Sequence, residues 1–296
     1  MAKIKTYKTY TTNEATEGES RLTYLEERNN EEIVILKESY HLDGELKSKM
    51  ERTLDEKGRV LEEIQYSELS EEPDQIAHYR YNDSNQLAVI ETSYRDNSKS
   101  IRKYEYNKEE NSLTVYVRDE NDELEGKEYR KFDEEGRVIH EEIYGAEEVF
   151  MSHMETKYDE YDNYLERYFE YPDDFVREYF YKYLRNDKAQ IVKIQIVDNG
   201  GKLAREDFMD YDERGNRIIH RFSDFEQNLA ETRKYEFDEN DREVKEQHYG
   251  PDESLKQNID YTYREDGLLA EEHHFSITGE VTLRFEYEFF HEVDKA

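Results

Sequence analysis

A repeat of about 26 residues runs the length of this chain and limits what it can fold into. Each copy opens on an aromatic or apolar residue: Leu54, Tyr81, Tyr106, Phe132, Tyr158, Tyr183, Tyr211, Phe237, Tyr263 and Phe289, with gaps of 27, 25, 26, 26, 25, 28, 26, 26 and 26. Tyr24 extends the series backwards by a gap of 30. Asp often follows the opener, as at Asp55, Asp133, Asp159, Asp212 and Asp238, where its side chain can bond backbone amides two residues on. Four residues after the opener stand Gly58, Asn85, Glu110, Gly136, Asp162, Asp187, Gly215, Asp241 and Gly267. All but Glu110 are residue types that tolerate positive φ, and Glu110 is followed at once by Asn111. An acidic start and a left-handed end describe a hairpin loop built on a type I turn with a G1 bulge.

The flanks alternate with the period of a strand, as in Tyr104-Glu-Tyr106 and Phe285-Glu-Tyr287-Glu-Phe289. Pro172 interrupts the aromatic stretch Tyr158 to Tyr183 where a second turn belongs, so strand is a better reading there than helix. The expected fold is all-β: a repetitive antiparallel meander of about ten 26-residue, two-stranded units. Apolar residues make up 35% of the chain and aromatics 14%. That is too little for a thick core and too aromatic for a disordered acidic chain. The expectation is therefore an elongated, twisted or loosely rolled single sheet, stabilised unit by unit. Residues 1–20 read as an N-terminal strand or tail and loop, 21–290 as the continuous hairpin array, and 291–296 as a C-terminal tail.

Phe132-Asp-Glu-Glu-Gly-Arg137, Tyr211-Asp-Glu-Arg-Gly-Asn216 and Tyr263-Arg-Glu-Asp-Gly-Leu268 resemble the YD repeat of RHS-type bacterial proteins. In that family the repeats form long β-sheets that spiral into a shell around a toxin. The resemblance implies a bacterial β-repeat architecture, and departs from the family in lacking a toxin-like segment and a secretion signal.

With 42 Lys and Arg against 75 Asp and Glu, the net charge is −33, which argues against nucleic acid or anionic lipid as ligands. No apolar run is long enough for a membrane span, and the start Met1-Ala-Lys-Ile-Lys has no apolar signal region. The location expected is cytoplasmic. There is no Cys, which removes thiolate chemistry. The nine His are read as strand-surface residues and the acidic turns Asp119–Glu123 and Asp238–Asp241 as turn chemistry, so neither a metal nor a cofactor is assigned. No catalytic motif appears, and the chain is expected not to be an enzyme. The expected role is a protein-interaction scaffold with a basic protein partner. The alternative is an immunity or antitoxin-like protein that neutralises a basic toxin. Contact residues are expected in the aromatic-rich stretch, at Tyr161, Tyr164, Tyr168, Tyr171, Phe175 and Tyr179.

Overall fold

Turn chemistry organises the chain. In the computed structural model, which describes residues 4–13, 18–29, 31–68, 70, 72–172 and 175–291, Asp55 shows the pattern. Its Oδ1 accepts from the amides of Lys57 and Arg59, both at 2.9 Å, and its Oδ2 accepts from Nε of Arg59 at 2.7 Å. The Asp thus closes the loop and clips the Arg that starts the next strand. Asp133 with Arg137 and Asp238 with Arg242 repeat the clip, each at 2.7 Å. The Arg59 and Arg242 hydrogen bonds hold the Asp55 and Asp238 carboxyls below their ordinary range.

Positive φ falls on Gly58, Asn85, Gly136, Asp162, Gly215, Asp241 and Gly267. At the turn after Arg185 it falls on Ala189, φ 62°, rather than on Asp187. Asn186 takes the role of Asp there, its Oδ1 accepting from the amides of Lys188 and Gln190. At the Glu110 turn the left-handed residue is Asn111, φ 50°.

These turns separate 22 strands. They are β1 (Ile4–Asn13), β2 (Arg21–Arg28), β3 (Val34–Tyr40), β4 (Leu46–Leu54), β5 (Val60–Ser67), β6 (Gln75–Tyr81), β7 (Leu87–Tyr94) and β8 (Lys99–Asn107). Then follow β9 (Ser112–Asp119), β10 (Leu124–Phe132), β11 (Val138–Tyr144), β12 (Phe150–Tyr158), β13 (Tyr164–Tyr171), β14 (Phe175–Arg185) and β15 (Ile191–Asp198). The last are β16 (Leu203–Tyr211), β17 (Arg217–Asp224), β18 (Leu229–Phe237), β19 (Glu243–Tyr249), β20 (Leu255–Tyr263), β21 (Leu269–Phe275) and β22 (Val281–His291). Within the Tyr158–Tyr183 stretch, Tyr164–Tyr171 and the residues from Phe175 on are strand, as the period requires. The one helical element among the described residues is a 3-10 turn at Ala146–Glu148.

The chain divides into two units, Met1–Asp74 with Asp207–Ala296, and Gln75–Glu206. In the first, β1 bonds β2 on one edge and β22 on the other. Nine residue pairs join β1 to β22, from Ile4↔His291 to Asn13↔Leu283. The 22-stranded antiparallel sheet is therefore closed by β1 against β22, and the expected open, elongated sheet is corrected. The physical reason lies in the first strand. An open meander leaves two edges of unpaired amides, and β1 satisfies both by pairing twice. The Tyr7 ring sits among those of Tyr24, Tyr287 and Phe289, at 5.7, 6.0 and 5.1 Å. Of the expected C-terminal tail, 292–296 lies outside the described residues.

One strand face in this unit carries the deeper burial: Thr9, Glu26, Tyr235 and Ile259. Its polar groups are paired. Glu26 accepts from the Tyr24 hydroxyl at 2.7 Å and Arg28 Nε at 2.6 Å, and Tyr261 and Tyr287 donate to Glu246 and Glu272 at 3.1 and 2.9 Å. In the second unit Ala77, Val115 and Thr156 are the corresponding buried positions, and Arg130 meets Glu141 at 2.5 Å on the same face as Val115. The reverse face carries Lys157 on Glu166 at 2.7 Å. Charged pairs thus occur on both faces of the sheet in this unit. No helix among the described residues is long and apolar enough to cross a membrane, which says nothing of strands.

Candidate functional site

Exposed apolar side chains concentrate on β12–β14. Val149, Met151, Tyr161, Tyr164, Leu165, Tyr171, Phe175, Val176 and Leu184 are all exposed. The structure divides the six expected contact residues among four places. Tyr161 lies in the Asp159–Asn163 turn, 56% exposed, with the Arg185 guanidinium 4.4 Å over its ring. Next to it Tyr164 packs on Tyr158 and Tyr181, at 5.5 and 5.8 Å, under the Arg167 guanidinium. At the other end of β13, Tyr171 and Phe175 face each other across the hairpin with rings 6.0 Å apart, Phe175 being 52% exposed. Glu147 and Glu148 in the exposed 3-10 turn follow Gly145 at that same end of the sheet. Tyr179 and Tyr168 stand at mid-strand on opposite faces. Tyr179 pairs with Arg167, and Tyr168 with Glu155. The six residues therefore do not form one patch, and the exposed Tyr171–Phe175 pair lies at the same end of the sheet as the acidic Glu147–Glu148 turn.

On the reverse face of β10–β13 runs a row that the sequence reading does not assign. The rings of Tyr129, His140, His153 and Tyr168 follow one another at 5.7, 4.8 and 5.6 Å. Carboxylates fill the alternate cross-strand places, with His140 opposite Glu155, Glu142 opposite His153, and His153 opposite Glu170. Glu142 stands 3.3 Å from Nε2 of His140 and accepts the Tyr144 hydroxyl at 3.1 Å. Glu170 stands 3.6 Å from Nδ1 of His153 and accepts the Tyr168 hydroxyl at 3.1 Å. The Glu155 carboxylate lies between the imidazoles, 3.9 Å from Nδ1 of His140 and 3.6 Å from Nε2 of His153. That Nε2 is buried and has no hydrogen-bond partner. One donor atom from each of His140, His153 and Glu155 lies within 4.8 Å of the others.

Elsewhere His residues are engaged in pairs. His220 Nε2 meets the buried Asp207 at 2.7 Å, and His248 lies between Glu246 and Glu231 at 2.7 and 3.2 Å.

No family model matches the chain, and no curated protein matches it. Among solved structures it is similar to a chain of the Photorhabdus luminescens Tc holotoxin pore with the TccC3-D651A mutation. The identity is 11%, the TM-score 0.37, and the match covers 94% of this chain and 18% of that one. A chain of the TcdB2–TccC3–Cdc42 structure matches at 12% identity and TM-score 0.37, over 95% of this chain and 19% of that one. A porin-like protein from Bacteroides uniformis matches at 10% identity and TM-score 0.30, over 98% and 99%. This chain thus spans about a fifth of the Tc toxin chains it matches.

Proposed function

We infer that this chain is a non-enzymatic, acidic β-repeat protein of the YD-repeat type, and that it works as an interaction scaffold for a basic protein. The observation that carries the reading is the exposed Tyr171–Phe175 pair at the end of β13–β14 in a chain of net charge −33. Aromatic side chains give large contact area at small entropic cost. An acidic surround steers a basic partner and repels acidic ones. Both β13 and β14 are hydrogen-bonded on both edges, which lowers the ordering cost of contact at these rings.

The test is affinity capture from the native source, followed by titration of the captured protein against Tyr171→Ala with Phe175→Ala. The expected result is a basic partner whose affinity falls at least about tenfold in the double variant, hot-spot aromatics having that weight, and which also weakens with added salt. An unchanged affinity would remove this surface from the proposal. A single tight partner whose toxic activity is blocked on binding would specify the role as immunity.

A further inference from the structure

We propose that His140, His153 and Glu155 form a binding site for a zinc-type divalent transition-metal ion on the reverse face of β11–β12. The site is assembled by the Gly145–Val149 hairpin. Its register sets His140 opposite Glu155 and Glu142 opposite His153, so both imidazoles and Glu155 share a face on adjacent strands. Three donor atoms already within 4.8 Å of one another need only small side-chain rotations to reach bonds of about 2.0–2.2 Å to one ion.

The surroundings of the imidazoles favour this use over a plain surface role. A metal-bound His typically turns its other nitrogen toward a carboxylate, which fixes the tautomer and raises basicity. Both His residues have that arrangement. Glu142 backs Nε2 of His140 and Glu170 backs Nδ1 of His153, leaving Nδ1 of His140 and Nε2 of His153 toward Glu155. The backing carboxylates are themselves anchored by Tyr144 and Tyr168 hydroxyls. Tyr129 and Tyr168 close the row at either end, restricting ring rotation. The buried Nε2 of His153, without a hydrogen-bond partner, is free to donate its lone pair to the metal.

Two imidazoles and one carboxylate suit Zn²⁺, Co²⁺ or Ni²⁺ better than Ca²⁺ or Mg²⁺, which prefer all-oxygen sites. Three protein ligands leave a position for water or for a group on a partner.

The experiment is calorimetric titration of the full chain with Zn²⁺, with excess Mg²⁺ present to occupy weak carboxylate sites, and the visible absorption of bound Co²⁺ as a second readout. One Zn²⁺ per chain is expected in the tight phase. His153→Ala and Glu155→Gln should each weaken it roughly 100-fold, and Glu142→Gln roughly 10-fold, the range of outer-shell substitutions. Glu155 is exposed, so Glu155→Gln keeps the test valid should a His variant unfold. Absence of a tight phase in the unsubstituted chain, or unchanged affinity in Glu155→Gln, overturns the proposal.

Discussion

The guanidinium of Arg242 lies 4.6 Å over the ring of Tyr263, whose hydroxyl donates to the carbonyl of Glu243 at 2.7 Å. Arg137 and Tyr158 repeat the arrangement at 4.5 Å, with the hydroxyl on the Val138 carbonyl at 3.1 Å. The opener of one unit is thereby strapped to the clipped Arg of the unit before it, which gives the Tyr–Asp pattern a physical meaning. Asp closes its own turn, and Tyr ties that turn to its neighbour.

Removing the strap should cost measurable stability. Tyr263→Phe deletes one hydrogen bond and is expected to cost about 1 kcal/mol. Arg242→Ala, which also frees Asp238, should cost more. A double-mutant cycle in chemical denaturation should return a coupling of about 0.5–1 kcal/mol. A coupling of zero would mean that ring and guanidinium are neighbours without energetic consequence.

Backbone conformation alone should govern Gly136→Ala. At φ 82° nothing lies within 4 Å of the position a Cβ would take, so the expected loss is about 1–2 kcal/mol from the left-handed geometry. The reverse change, Ala189→Gly at φ 62°, should stabilise by a similar amount, whereas Asp187→Gly should not. Equal responses at 187 and 189 in thermal denaturation would contradict the turn frame described above.

Glu243 sets a pH dependence. Burial, reinforced by nearby Glu246 and opposed by Arg217, pushes its carboxyl up to about 7. A raised acid is protonated in both states below its ordinary value of 4.5 and adds nothing there. Above that the unfolded chain ionises first, so stability falls as pH rises, with the full penalty present above about 7. Glu243→Gln should therefore raise Tm at about pH 8 and leave it unchanged near pH 4.5. A gain of equal size at both would locate the effect elsewhere.

The tyrosines set the alkaline limit. Burial first, then hydrogen bonding to Glu38, pushes Tyr40 up to about 12, and burial with Tyr181 and Asp159 nearby pushes Tyr183 up to about 12. Tyr24, Tyr261 and Tyr287 move in the same direction by burial and a Glu partner. Unfolded tyrosines ionise near 10, so stability should decline from about pH 10 upward, with phenolate absorbance rising together with loss of the strand signal. Phenolate formation well below unfolding, for most of the rings, would contradict this.

Local structure was legible in the sequence, and long-range structure was not. Strand, turn and left-handed positions follow from residue types a few places apart, which is why Gly58, Gly136 and Gly267 are identifiable without coordinates. Asp187 misleads because the aromatic run draws the frame to Tyr183, while β14 continues to Arg185 and Asn186 does the capping. Closure is invisible to a periodic reading, since β1 and β22 meet only through residues at opposite ends of the chain. The His140–His153–Glu155 group was accessible in principle. A hairpin centred between residues 147 and 148 pairs 142 with 153 and 140 with 155, and only the spread of carboxylates along the chain concealed it.

Tyr7 and Phe289 are paired across 282 positions of chain, and that separation has a kinetic cost. During synthesis β1 emerges before β22 and can pair with β2 at once, yet its second edge waits for β22 to be made. Until then the growing protein carries an open strand edge that offers backbone amides to any other nascent chain. The alternation of Thr9, Thr11 and Lys8 along β1, a polar rather than greasy edge, makes that interval easier to survive. The same joint, formed last because its loop-closure entropy is greatest, is where the finished ring should be slowest to seal after denaturation.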